Sequence, residues 1–234
     1  MCNEFQLRLN FGTDWWNEHG RSRASIRFSD APSNRRLDQP FKPTDRAAML
    51  RPIYVSDPAA GLESVDRRWW LVPFFHKGKV TDWKAMCTNA RLETVETTAA
   101  FREAYKHRRS LIPITSFVEY DKPPGWAKGQ PMRRWEVSWD PKDDFDNVRY
   151  LAGVWERSNP TDLTEPLESF AFVTGPPGAD VGAVHDRQPA VMTFDQGMEW
   201  LRLDGPGKAS LITETPPGTY RVTERPRELD FAAT

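Results

Sequence analysis

Residues 111–120, LIPITSFVEY, form a mainly apolar run whose penultimate residue, Glu119, is a carboxylate. A short apolar run between polar segments is typical of a buried β-strand. We therefore predict a strand from Leu111 to Glu119, with Glu119 at its end. The segment ahead of this strand predicts a helix that opens at Thr97, because Phe101 and Tyr105 then share one face and basic residues fill the last turn.

Outward from this segment, short strands are predicted on both sides. Apolar or alternating patterns mark them at residues 5–11, 47–56, 69–75, 133–139, 149–155 and 168–174. Polar loops separate them, at residues 29–46, 121–131 and 157–167. Asp195 could cap a short helix that continues through Leu201. With 20 prolines against 14 glycines, long helices are disfavoured, so we expect an α+β fold with two or three helices.

Length and charge exclude several classes of protein. The 234 residues lack internal repeats and are predicted to form a single domain, with a proline-rich, charged tail from about Thr215. The 32 basic residues balance 33 acidic ones, which excludes an overall basic nucleic-acid binder but leaves local basic patches open. No apolar run approaches membrane-spanning length, and no secretory signal precedes the domain, so we expect a cytoplasmic protein.

The two cysteines and four histidines lack the spacing of metal ligands, so no metal or cofactor is expected. Cys2 nevertheless holds a special position, because removal of Met1 would leave it as the first residue. It would then carry an α-amine of pKa about 7.7–8.0 and a thiol of about 8.5 on adjacent carbons. Such an aminothiol condenses with aldehydes to a five-membered thiazolidine. Taken alone, a cysteine at position 2 is better explained as an ordinary surface or buried residue.

Three further segments combine polar and charged groups: NARLET at 89–94, SFVEY at 116–120 and VHDRQP at 184–189. Glu119 could be a catalytic carboxylate or a solvated strand end. His185 could be a catalytic imidazole or part of a surface turn. None of these segments decides the function on its own.

Together and in this order, the segments resemble the SRAP family, the SOS-response-associated peptidase or abasic-site processing proteins. The resemblance rests on Cys2, NARxET, FREAY-x3-R, LIP-x4-F-x-E-Y, VT and HDRxP, with WWLVPFF at 69–75 similar to the family's W-G-L-V-P-x-W. These motifs run from residue 1 to about residue 202. The resemblance implies a mainly β domain with a barrel-like core that binds single-stranded DNA without a cofactor.

The resemblance also implies a role for each matching residue. Mature Cys2 would bond covalently to the ring-opened aldehyde of an abasic deoxyribose. Asn89 would hold the N-terminus and the sugar, Glu119 would be the acid/base, and His185 would stabilise the sugar hydroxyl and the imine. The implied DNA-binding residues are Arg91, Arg187, Thr174, Trp69, Phe74, Phe75 and Tyr120.

Several positions depart from the family pattern. Glu4 replaces an arginine that could contact phosphate, Trp70 replaces a glycine, and Phe75 replaces a tryptophan. Tyr120 stands where tryptophan is common. The end of the chain lacks the family's valine-rich closing strand. These departures bear on DNA affinity and on the closure of the fold more than on the chemistry.

Two other functions use the same sequence features. A cysteine peptidase or amidase could use Cys2 as nucleophile and His185 as base. An aromatic-rich binder of single strands would not need Cys2 at all. The expected partner of the leading interpretation is single-stranded or junction DNA with abasic sites, bound by a monomer that associates with the nucleoid when on DNA.

Overall fold

The computed structural model describes residues 2–29, 39–204, 207, 211 and 213–225. Its strands, in chain order, are β1 (Glu4–Gln6), β2 (Ile26–Phe28), β3 (Arg46–Pro52), β4 (Leu62–Trp69), β5 (Asn89–Arg91), β6 (Arg109–Ile114), β7 (Ser116–Asp121), β8 (Arg133–Ser138), β9 (Arg149–Ser158), β10 (Leu167–Gly175), β11 (Gln188–Pro189), β12 (Val191–Met192) and β13 (Arg221–Glu224). The α-helices are α1 (Thr13–His19), α2 (Arg102–His107), α3 (Ala179–Gly182) and α4 (Phe194–Leu201). Short 3-10 turns lie at Pro58–Ala60 and Val80–Asp82.

Five strands close into a barrel in the order β10-β4-β3-β6-β9, and β9 pairs back onto β10. The pairings are antiparallel except between β10 and β4, where Phe170 lies opposite Trp69 in parallel register. Closure leaves these five strands without a free edge along the ring. The expectation of an α+β fold with a barrel-like core is confirmed.

A second sheet, in the order β1-β7-β8-β13, packs against the barrel. The chain passes from the barrel to this sheet at Thr115, whose amide donates to the Gln6 carbonyl at 2.8 Å. The predicted strand from Leu111 to Glu119 is therefore two strands, β6 and β7, one in each sheet. Because β7 pairs with β1, this break brings Glu119 beside the start of the chain.

The barrel strands bury both of their faces. Leu50 and Leu111 belong to one apolar cluster with residues from α1, α2 and α4, whereas their neighbours Met49 and Ile112 belong to a second cluster with the second sheet. Successive side chains of a strand point to opposite faces, so both clusters are supplied by the same strands. Near-continuous apolar sequences, rather than strict alternation, are the result.

Several predicted boundaries are wrong. The strand expected at 69–75 ends at Trp69, and residues 70–75 are an irregular turn that begins with a positive φ of 112° at Trp70. The helix expected from Thr97 begins at Arg102, since turns occupy the residues before it. The strand expected at 5–11 is shortened to β1, whose three residues are all buried.

Other elements were not predicted at all. Helix α1 packs its buried Trp16 into the core, and strand β13 pairs with β8 inside the segment expected to be a tail. Thr193, rather than Asp195, caps α4 by accepting a hydrogen bond from the Gln196 amide at 3.3 Å. Four α-helices thus lie within the described residues instead of two or three. Of the loop predicted at 29–46, residues 30–38 lie outside the described residues, and Arg46 already belongs to β3.

Candidate active site

Cys2 lies two residues before the start of β1 and is completely buried. Its Sγ donates a hydrogen bond to the Glu4 carbonyl at 3.3 Å. Pairing of β1 with β7 sets Glu4 opposite Val118, so Cys2 comes to lie near Glu119. Burial raises the pKa of the Cys2 thiol well above its ordinary value, and the charge of an ionised Glu119 adds to this effect. The thiol is therefore protonated at neutral pH.

Asn89 holds the backbone of Cys2. It is the first residue of β5, which pairs in parallel with β10 so that Asn89 lies opposite Phe172. Its Nδ2 donates to the Cys2 carbonyl at 2.9 Å and to Thr88 Oγ1 at 3.0 Å. These two bonds use both amide hydrogens and fix the position of the first residues against the barrel.

Glu119 is the buried acid of the site. It lies on β7 with no exposed surface, and burial raises its pKa to about 8. Most of this carboxyl is consequently neutral at pH 7 and can donate a proton. An acid with a pKa near the working pH can both give up and recover a proton during a reaction.

His185 faces Glu119, with 3.6 Å between Nε2 and Oε2. Burial lowers the pKa of His185, so the imidazole is neutral at pH 7. Its Nδ1 lies 3.0 Å from both the amide nitrogen and the carbonyl oxygen of Arg187. Either tautomer therefore finds a partner at Nδ1, and the ring can move a proton at Nε2 without losing that contact.

Arg187 is held by an acidic neighbour. Its guanidinium donates to both carboxylate oxygens of Glu93, at 3.1 and 2.9 Å, and to the Thr174 carbonyl at 2.6 Å. Thr174 is 1% exposed and its Oγ1 lies 3.4 Å from Arg187 Nε. The prediction that Thr174 contacts DNA is corrected: its side chain is covered, and it positions Arg187. Glu93 belongs to the NARLET motif, but its pairing with Arg187 was not predicted.

Arg91 is exposed and ends β5 opposite Thr174. Asn89 and Arg91 are two positions apart in an extended strand, so their side chains leave the same face. This arrangement sets an accessible guanidinium beside the residue that holds Cys2.

The predicted stacking rings divide into exposed and buried ones. Phe74 and Phe75 are 46% and 40% exposed, as a base-contacting ring requires. Trp69 has no exposed surface, stacks among Phe5 and Phe172, and donates its indole N–H to the Thr88 carbonyl at 3.0 Å. The assignment of Trp69 to DNA binding is therefore wrong, because its ring is part of the core.

Tyr120 belongs to a polar cluster behind the site. Its hydroxyl donates to Glu4 Oε2 at 2.5 Å, and the other carboxylate oxygen of Glu4 pairs with Arg134. The acidic residue that departs from the family pattern is thus buried and neutralised within the second sheet. Sequence alone gave no sign of the Glu4–Arg134 pair, since 130 positions separate the two residues.

Trp70 adopts a backbone conformation that favours glycine. Its φ of 112° costs a residue with a side chain on the order of 1–3 kcal/mol. Its indole N–H donates to the Ala85 carbonyl at 2.9 Å. Trp70 therefore makes the same turn that the expected glycine would make, but its backbone is strained.

The fold and the site together define a class of protein: a closed barrel that buries a cysteine near the start of the chain beside a neutral carboxylic acid and a neutral imidazole, with an exposed arginine, Arg91, next to the site. The chain belongs to the SOS response associated peptidase (SRAP) family, whose sequence model matches residues 4–225.

Curated relatives carry matching names. The chain is 30% identical over 134 residues to "Abasic site processing protein YoqW" of Bacillus subtilis, a match that covers 57% of this chain and 55% of that protein. It is 27% identical over 149 residues to YedK of Escherichia coli, covering 63% and 62%, and 24% identical to HMCES of Gallus gallus, covering 58% and 44%. Both bear the same designation, abasic site processing protein. The matched region thus spans about half to two thirds of these proteins.

Solved structures share the fold. A protein from Bacteroides thetaiotaomicron superposes with a TM-score of 0.73 at 18% identity, covering 97% of this chain and 93% of the other. A phage-related protein from Bordetella bronchiseptica gives a TM-score of 0.63 at 17% identity, covering 96% and 94%. None of the described helices is both long and apolar enough to cross a membrane.

Proposed function

We propose that this protein processes abasic sites in single-stranded or junction DNA by forming a covalent thiazolidine crosslink through Cys2. The observation that carries the proposal is the convergence of Cys2, Asn89, Glu119 and His185, from four distant parts of the chain, in one site. The names of the curated relatives support the choice of substrate.

The first step of the proposal is removal of Met1, which consumes one water and leaves an α-amine on Cys2. We assign this hydrolysis to the site itself, with the thiol of Cys2 as nucleophile. The family's designation as a peptidase supports that assignment. Amine and thiol then stand on adjacent carbons, the arrangement that captures an aldehyde in two bonds.

The crosslink forms in three balanced steps. The cyclic sugar opens to its aldehyde by moving one proton from the hydroxyl to the ring oxygen. The Cys2 amine adds to the aldehyde carbon, and loss of one water gives an imine. The thiol then adds across the C=N bond, with sulfur bonding to carbon and its proton passing to nitrogen. No oxidant or metal is needed in this sequence.

Glu119 and His185 supply the proton transfers. A neutral carboxylic acid can protonate the ring oxygen while a neutral imidazole accepts the hydroxyl proton, and both groups are neutral near pH 7. The same carboxyl can later give its proton to the departing water. Protonation of the imine nitrogen by this pair would also favour attack by the thiol.

Arg91 and Arg187 are proposed to bind the phosphates that flank the lesion, and Phe75 to stack at the end of a duplex. Contacts to phosphate give affinity without reading sequence, which suits a protein that recognises an aldehyde. The proposal includes a monomer that acts in the cytoplasm and associates with the nucleoid when bound to DNA.

The high pKa of Cys2 bears on the alternatives. A general cysteine peptidase or amidase attacks successive foreign peptides with a standing thiolate, whereas burial keeps this thiol protonated. The single attack on Met1 is intramolecular, so it needs only a transient transfer of the thiol proton to a neighbouring base. A purely non-covalent binder gives no reason to bury Cys2 and hold it through Asn89.

A denaturing gel tests the proposal directly. Purified protein is incubated with an oligonucleotide that contains one abasic site, alongside the Cys2→Ala variant and an intact strand. We expect a stable DNA–protein band for wild type on the abasic strand alone, with mass spectrometry showing that Met1 is absent. Wild-type protein that turns over a peptide substrate but gives no such band would overturn the proposal.

A further inference from the structure

Residues 70–88 form a loop, here called the aromatic loop, that leaves and rejoins one edge of β10. The loop departs from β4 where Trp69 lies opposite Phe170, and it returns at Asn89 opposite Phe172. A hydrogen bond from the Leu71 amide to the Cys87 carbonyl, 3.0 Å, closes its neck. Two residues of a strand span roughly 7 Å. The base of the loop therefore lies beside Asn89, the residue that holds Cys2.

A cavity of about 260 Å³ opens between the loop and β4. Two indoles, Trp70 and Trp83, and two cations, Arg68 and Lys84, line it together with Val72 and Val80. The volume lies below the range of roughly 300–1,000 Å³ that accommodates drug-sized ligands. It suits one flat ring rather than a long chain.

The strain at Trp70 points to a ligand. Glycine would make this turn at no cost, yet a tryptophan with a φ of 112° stands here and its ring lines the cavity. Strained residues that persist often belong to binding sites. Lys84 is exposed, so a cation is available at the cavity to an incoming anion.

We propose that this cavity is a nucleotide subsite, which takes an unpaired base next to the abasic position and its phosphate. The inference rests on the proposed function, because it needs a DNA strand at Asn89. Stacking on the two indoles accepts any base, and Arg68 and Lys84 attract the phosphate. The edge of Trp83 meets the exposed Phe75, with 5.9 Å between ring centroids, so the subsite continues the surface on which Phe75 lies.

The test uses single strands whose central abasic position is a tetrahydrofuran, which has no aldehyde and binds reversibly. A second tetrahydrofuran then removes one neighbouring base at a time on each side. Fluorescence anisotropy with wild-type protein should show one position where loss of the base weakens binding roughly 5- to 100-fold, the range expected for stacking. Trp70→Gly, which also relaxes the backbone, should remove that sensitivity, and Lys84→Ala should weaken binding to every strand.

Lys142→Ala is the matched control, because it removes the same charge from the connection between β8 and β9 and should leave the whole scan unchanged. If thermal melting shows that Trp70→Gly does not fold, Thr81→Trp replaces it, since a large ring at the cavity blocks a base. The subsite proposal is overturned if removal of no neighbouring base weakens binding by the wild-type protein. It is also overturned if both the Trp70→Gly variant (or its replacement, Thr81→Trp) and Lys84→Ala bind every strand as the wild type does. The crosslinking gel on true abasic DNA reports separately on the proposed function.

Discussion

In the proposed mechanism, Cys2 supplies two nucleophiles, its α-amine and its thiol. Replacing the sulfur atom with oxygen tests their roles separately. Cys2→Ser keeps the amine but replaces sulfur with a hydroxyl, which closes a ring on an imine far less stably. We expect the variant to trap abasic DNA after reduction with borohydride, yet to lose the crosslink that survives denaturation without reductant. Equal yields of the unreduced crosslink from both proteins would show that the sulfur takes no part.

Glu119→Gln should slow crosslinking while leaving strand binding nearly intact. The amide preserves shape but cannot exchange a proton, and general acid–base groups contribute roughly 10²–10⁴-fold to rates. Single-turnover gels measure the rate, and anisotropy with a tetrahydrofuran strand measures binding. His185→Ala serves as the comparison and should show a milder defect, since water can replace its hydrogen bond. A wild-type rate for Glu119→Gln would remove this carboxyl from the mechanism.

If Arg187 binds phosphate as proposed, Glu93 competes with DNA for its guanidinium. The carboxylate holds both terminal nitrogens of the guanidinium, and this contact lowers the pKa of Glu93. Glu93→Gln weakens the competitor, so we expect affinity for single-stranded DNA to rise roughly 2- to 5-fold, the equivalent of an exposed ion pair. Glu165→Gln removes the same charge from an exposed loop and controls for net charge. If both variants bind DNA equally well, Arg187 does not contact phosphate.

At the scale of elements, we expect the aromatic loop to determine which DNA structures the protein accepts. Phe75→Ala should reduce the ratio of affinity for single-stranded and junction DNA to affinity for duplex DNA. The reason is that the exposed ring no longer blocks continuation of the DNA duplex. Binding to the three structures and a thermal melt are compared with those of Tyr54→Ala, a more exposed ring elsewhere. A sharp drop in melting temperature with an unchanged order of preference would assign Phe75 to packing instead.

Sequence patterns located elements better than they located their ends. Strands β8, β9 and β10 begin within one residue of expectation, because their apolar positions repeat along strands that the sheet keeps regular. The break at Thr115 was missed because apolar residues on both sides, such as Ile114 and Phe117, made the run look continuous, although Thr115 and Ser116 are polar. Trp69 was misassigned for a related reason: aromatic residues in one run face the core or the solvent according to where the strand stops, and β4 stops at Trp69.

At the scale of the whole molecule, sequence motifs identified the four site residues. Their proximity in space depends on strand pairings that no local pattern encodes. Asn89 reaches Cys2 because β5 joins β10 in parallel, and Glu119 reaches it because β7 joins β1. These contacts connect segments far apart in sequence, so they follow from the pairing of distant strands and not from neighbouring residues. The ion pair of Glu93 with Arg187 likewise joins residues 94 positions apart.

The buried acid makes folding stability depend on pH. The pKa of Glu119 is raised from 4.5 to about 8 on folding, so the folded protein holds a proton that the unfolded chain has released. This stabilising contribution is complete below about pH 4.5 and is lost as the pH rises to about 8. Wild type should therefore lose more stability between pH 5 and pH 8 than Glu119→Gln does. Urea unfolding at both pH values measures this difference, and identical losses would contradict the assigned burial.

The complete burial of Cys2 also has a consequence for the lifetime of the resting protein. Peroxides and alkylating agents attack accessible thiolates, and in the chain that still carries Met1 this sulfur is neither accessible nor ionised. A reagent that is consumed by a single reaction must survive intact until it is needed. Enclosure by the barrel and the second sheet keeps the sulfur reduced in the unprocessed chain, so in the proposed mechanism oxidants meet the thiol only after Met1 has been removed.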